Sequence, residues 1–116
     1  MIKDYLDEQK KICQKYGSEM YLVDESQKVG IALHTLNQSP IYGVHLRPEG
    51  DTSGWYFWGG EHSESADFYQ AVHINHLPEI ASILLKYLAL APGFKFIIDD
   101  QGYEDVWFEP EIIATH

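Results

Sequence analysis

A chain of 116 residues, 45% of them hydrophobic, is long enough to form one domain with its own core and too apolar to remain disordered. Its net charge of −10 is one-sided. Residues 1–48 hold six basic and six acidic residues, whereas residues 49–116 hold two basic residues, Lys86 and Lys95, against twelve acidic ones. Such a surface repels nucleic acid and membrane and favours basic protein partners, and a single cysteine, Cys13, excludes an internal disulfide and a cysteine metal cluster.

Residues 2–16 predict a helix. Ile2, Tyr5, Leu6, Ile12 and Tyr16 fall near one stripe, acidic residues come early, lysines come late, and Gly17 follows as a stop. A hairpin is expected next, with strands over 19–24 and 29–36 around the turn 25–28. The small residues Gly30 and Ala32 on one face of its second strand predict a closely packed helix there. Asn37-Gln38-Ser39-Pro40 marks a turn, and 41–47 alternates as a strand with Tyr42, Val44 and Leu46 on one side.

The most distinctive stretch is Ser53-Gly54-Trp55-Tyr56-Phe57-Trp58-Gly59-Gly60-Glu61. In a strand, Trp55 and Phe57 share one face and Tyr56 and Trp58 the other. Four successive aromatics predict a central strand covered on both sides. A polar loop over 62–67 follows, and 68–74 can extend again. Asn75 is then a candidate N-cap for a long helix, about 76–90, with Leu77, Ile80, Ala81, Leu84, Leu85 and Leu88 as its apolar stripe.

The last pair of strands covers 94–98 and 103–108. A three-residue loop with Gly102 left-handed sets Phe96 opposite Val106 and Phe94 opposite Phe108, and leaves Lys95 beside Trp107. Glu104 then falls at the end of the apolar face. The expected fold is α+β: a mainly antiparallel sheet of about five to six strands, with an N-terminal helix and the long helix packed on one side of it, as a single domain over 1–116.

Candidate chemistry is sparse. His73, His76 and Glu79 are spaced three apart, and His62 and Glu61 could approach from the loop, which would suit zinc or a similar ion. His73 precedes the helix, however, so only His76 and Glu79 share a helical face. Glu61 could pair with Asp67, Glu104 or Asp105 as acid and base, but carboxylate pairs arise by chance in so acidic a chain. Cys13 has no activating neighbour in sequence. No nucleophile elbow, phosphate loop or dinucleotide motif is present, so no catalytic residue and no cofactor are assigned. The aromatic run could stack sugars, as in a carbohydrate-binding module, but lacks the basic neighbours that single-stranded nucleic acid needs. The remaining reading is protein binding by Glu61, Glu64, Asp67, Asp99, Asp100, Glu104 and Asp105.

Several motifs together resemble a known family. They are Ser53-Gly54-Trp55-x-Phe57-x-Gly59-x-Glu61, His73-x-x-His76-Leu77, Leu84-x-x-Tyr87-Leu88, Pro92-Gly93-x-x-Phe96 and Tyr103-Glu104-Asp105-Val106-Trp107. Over about residues 42–110 the chain resembles a bacterial family of small proteins of unknown function, proposed to be immunity proteins of polymorphic toxin systems. The resemblance implies a cognate protein toxin as partner and brings no catalytic residues. With no apolar run near the ~18 residues that span a bilayer, and no signal-peptide core in MIKDYLDEQKK, the expected location is cytoplasmic.

Overall fold

The computed structural model describes residues 5–114. The elements run in the order α1 (Leu6–Tyr16), β1 (Lys28–Ile31), β2 (Ile41–His45), β3 (Thr52–Gly59), β4 (Gln70–His73), α2 (Leu77–Ile80), β5 (Phe94–Ile98) and β6 (Glu104–Phe108). Short 3-10 turns lie at Leu33–Thr35, Ile74–His76, Ser82–Tyr87 and Pro110–Ile113. The six strands form one sheet in the order β4-β1-β3-β2-β5-β6. The aromatic strand β3 is thus central, and the fold class is α+β as expected. All neighbours are antiparallel except β1 and β3.

Strand phase follows the alternation in the sequence. Val29, Ile31, Trp55, Phe57, Phe94, Phe96, Ile98 and Val106 are buried on the face that carries α1 and the 74–91 segment. The β5–β6 register is the one read from burial: Phe94 faces Phe108, Phe96 faces Val106, and Gly102 turns the chain with φ 88°. Gly43 lets this layer close, because a Cβ there would run into the Phe96 ring.

Five expectations are corrected. First, residues 19–24 form no strand; Tyr21 N–H instead donates to Ala89 O, and β1 takes β3 and β4 as partners. Strand β1 is short, and past Ile31 the chain winds into a 3-10 turn. Second, no helix lies over Gly30; the Tyr56 ring occupies that space, 2.5 Å from where a Cβ would stand.

Third, the long helix is broken. Ala81 sits at φ −157°, ψ 70°, with α2 before it and a 3-10 turn after it. A regular helix buries one stripe, whereas Leu84, Leu85, Tyr87, Leu88, Ala89 and Leu90 are all buried. Ile80, expected in the core, is 41% exposed. Carbonyls at the end of this segment receive donors from elsewhere. Trp55 Nε1 donates to Leu88 O, and Cys13 Sγ to Ala89 O. Fourth, Asn75 makes no cap; it lies inside a 3-10 turn, and His76 is the residue before α2.

Fifth, β3 is covered by helical segments on one side only, its other face meeting His62, Tyr69 and the C-terminal turn. With two helical regions serving six strands, both pack on one face, and Tyr56 and Trp58 on the other are half-buried. In α1 the buried residues are Gln9, Ile12 and Cys13, and Leu6 is 41% exposed. Ile2 lies outside the described residues.

Candidate functional site

Register places most of the acidic candidates together. Ile41 pairs with both Gly59 and Ile98, Ile98 pairs with Glu104, and Ile31 pairs with Gln70. The ends of β1, β3 and β5 and the starts of β2, β4 and β6 therefore meet at one end of the sheet. The loop after β3 brings Glu61, Glu64 and Asp67 to this end, and the β5–β6 turn brings Asp99 and Asp100. Between them runs the segment after β1. Thr35 anchors it, accepting a hydrogen bond from Gly59 N–H at 2.9 Å while its hydroxyl donates to Ala32 O.

The acidic side chains differ in availability. Glu61, Glu64, Asp67, Asp100 and Asp105 are exposed. Asp67 accepts a hydrogen bond from the Ser65 hydroxyl, which holds its carboxyl below the usual range. Asp99 accepts from the Gln101 and Tyr103 amides, both at 2.8 Å, and so shapes its own turn. Glu104 is turned inward. Tyr16 and Tyr87 donate hydroxyls to it at 2.6 and 2.5 Å, and Lys15 and Lys86 lie within 3.4 and 3.7 Å. Burial raises its pKa, but these donors win and hold it below the ordinary glutamate value. Its carboxylate is already occupied within the chain.

The open face of the sheet adds what sequence reasoning missed. Trp58 pairs with Tyr42, Tyr42 with Ile97, and Ile97 with Asp105, giving one row across four strands. The next row runs Tyr56, Val44, Lys95, Trp107. Tyr42 and Trp58 stack with centroids 5.1 Å apart and planes 12° from parallel. His62 packs edge-on against Trp58 at 5.0 Å, and Tyr69 joins through Tyr56 and Trp58. Burial, with the Tyr56 hydroxyl nearby, pushes the Tyr69 pKa up to about 12, so it stays a neutral phenol. The signal was present in the chain: too few helices to cover two faces of a six-stranded sheet.

The set His62, His73, His76 and Glu79 does not assemble. Strand β4 runs away from the acidic end, so His73 sits opposite Lys28 while His62 stays in the aromatic cluster. The His73 and His76 rings are 6.3 Å apart, and no three His, Cys, Asp or Glu among the described residues could hold an ion. Of the acid–base pairs, Glu61 and Asp67 line one hollow beside His34 and Gln38. Asp105 lies three strands from Trp58. Cys13 is buried, and burial pushes its thiol pKa up, away from reactivity.

His45 also escaped notice. It is fully buried, with Nδ1 2.7 Å from Leu90 O and Nε2 2.9 Å from Ser53 O, stacked on Trp55 at 4.3 Å. Burial depresses its pKa against the pull of the two carbonyls. It ties β2 to the 82–90 segment and is a core residue. No helix among the described residues is long and apolar enough to cross a membrane.

The fold is thus a small α+β domain that presents exposed carboxylates and half-buried aromatics at one end of its sheet. Residues 8–109 match the Imm33-like domain, and the chain belongs to this family of immunity proteins. Comparison with curated proteins and with solved structures found no match.

Proposed function

We propose that this chain is a bacterial cytoplasmic immunity protein that binds and neutralises a cognate protein toxin through the acidic end of its sheet, and that it is not an enzyme. The observation that carries the reading is the Imm33-like match over residues 8–109. The gathering of Glu61, Glu64, Asp67, Asp99 and Asp100 at one end of the sheet supports the choice of surface, with Asp105 beside it on the open face. A field of one sign speeds encounter with a partner of the other sign, so the toxin is a basic protein, such as a nuclease. Glu104 serves the fold in this reading, because Tyr16, Tyr87, Lys15 and Lys86 already engage it.

The test is to find a toxin gene beside this one, co-express the pair and read rescue of growth, together with calorimetric titration of the two proteins at several salt concentrations. Reversing Glu61, Asp67 and Asp105 to lysine should weaken binding at least about tenfold and flatten its salt dependence. An acidic toxin, or a triple variant that binds as tightly with the same salt dependence, sinks the proposal.

A further inference from the structure

Two places on the open face have the same ingredients, and only one has its cation. Beside β6, Lys95 Nζ lies 5.7 Å from the Trp107 ring centroid and 3.4 Å from the Glu109 carboxylate. There an aromatic face and a carboxylate share one ammonium. The other place is the shallow groove at the acidic end of the same face. Its floor is the stacked pair Tyr42 and Trp58, and its wall includes Pro40, Gly60, Glu61 and His62. No lysine or arginine is among its lining residues. Elsewhere on the described chain, Lys28 pairs with Asp51, Arg47 donates to Ile113 O, Lys15 and Lys86 serve Glu104, and Lys10 and Lys11 are exposed on α1.

The groove is also built to stay open. The C-terminal turn folds back over the far end of this face, where Ile112 and Ile113 meet Leu46 and Tyr56. It does not reach the end with Trp58, which stays half-buried beside His62 and Tyr69. Gly60 holds the wall in place with φ 68°, against Gln38, whose side chain fills the space a Cβ would need. Glu61 directly follows Gly60, whose N–H donates to Pro40 O at 2.9 Å.

We infer that this groove receives an arginine side chain of the partner protein, its guanidinium packed against the exposed edge of the Tyr42–Trp58 stack and hydrogen-bonded to Glu61. This rests on the toxin-binding reading above and names its anchor. A guanidinium suits the site better than an ammonium, because it stacks on aromatic faces and can offer two parallel N–H donors to one carboxylate. The groove is too open to enclose a small molecule, which favours a side chain delivered by a protein. Ile97 and Asp105 continue the same row toward β6, so basic chain on that side of the arginine would meet a second carboxylate.

The probe is N-acetyl-arginine methylamide, titrated into the isotope-labelled chain, with the neutral citrulline analogue and methyl glucoside as controls. The expected result is a saturable shift of the Trp58 indole N–H and of the Gly60 and Glu61 amides. The Trp107 indole, already under Lys95, should move little. Glu61→Gln and Trp58→Leu should each weaken the probe about two- to fivefold, and together more. Tyr42→Leu serves if Trp58→Leu alters the amide spectrum beyond the groove. Equal shifts with citrulline or the glucoside, or probe binding indifferent to Glu61→Gln, overturn the inference. A chain that protects against its toxin but ignores the probe overturns the groove and leaves the toxin reading standing. A chain that takes the probe here and protects against no toxin does the reverse.

Discussion

Removing the Glu104 carboxylate should destabilise the fold well beyond what a surface glutamate would. In Glu104→Ala, the Tyr87 hydroxyl loses its acceptor, and Tyr87 is 1% exposed, so water cannot easily replace the carboxylate. An orphaned buried hydroxyl costs about 1–3 kcal/mol. Tyr16 is half-buried and can turn partly to water, so its lost bond adds about 1 kcal/mol. Lys15 is 63% exposed and Lys86 36%, so solvent screens their ion pairs and they add little. The sum is about 3 kcal/mol, a large share of the ~5–15 kcal/mol that holds a domain folded. The assay is urea unfolding followed by fluorescence of the buried Trp55. In a double-mutant cycle with Tyr87→Phe, the two changes should couple by about 1 kcal/mol or more, because that variant has no hydroxyl left to orphan. A loss under about 0.5 kcal/mol, or additive single and double variants, would refute the reasoning. Acidity gives an independent check. The folded pKa lies below the ordinary value of 4.5, so this stabilisation is complete above pH 4.5 and disappears as pH falls through the folded value.

The buried His45 should act at higher pH. Its folded pKa lies below 6.5, so the unfolded chain binds the proton more readily and stability should decline as pH falls from about 6.5. His45→Gln should remove that slope, and an unchanged slope between pH 7 and 5 would contradict the assignment. Gly43→Ala pushes a methyl into the Phe96 ring and should cost about 1–3 kcal/mol, seen as a lower melting temperature; a neutral effect would deny the close packing. Thr35→Val removes the acceptor of the Gly59 amide, so that amide should exchange with solvent faster and stability should fall by about 1–2 kcal/mol. Unaltered exchange at Gly59 would show that the 33–38 segment is held some other way.

What the sequence determined by itself was local and periodic. The phase of β3 followed from alternation, since a strand has only two faces and Trp55 and Phe57 had to share one. The β5–β6 register followed from a short loop with Gly102 and from burial of Phe96, and it placed Lys95 beside Trp107 before any distant contact was known. Helix α1 stopped at Gly17 for the same local reasons. The family motifs were also legible, because they are carried largely by these same positions.

Tertiary structure decided whatever depended on partners distant in the chain. Residues 19–24 and 29–36 alternate well enough for a hairpin, yet β1 paired with β3 and β4, whose ladders a local pattern cannot anticipate. The leucine stripe fits a helix, but Leu84, Leu85 and 87–90 are buried on several sides, and the helix is broken at Ala81. Glu104 looked like a partner-binding carboxylate until Tyr16 and Tyr87, from elsewhere in the chain, were seen to hold it. The aromatic strand changed most. Four aromatics in a row implied burial on both sides, but coverage depends on how many elements remain to pack, and here both helical regions went to one face. Tyr42 and Trp58 were left stacked and half-open beside Glu61, a juxtaposition that only the register of β2 on β3 creates.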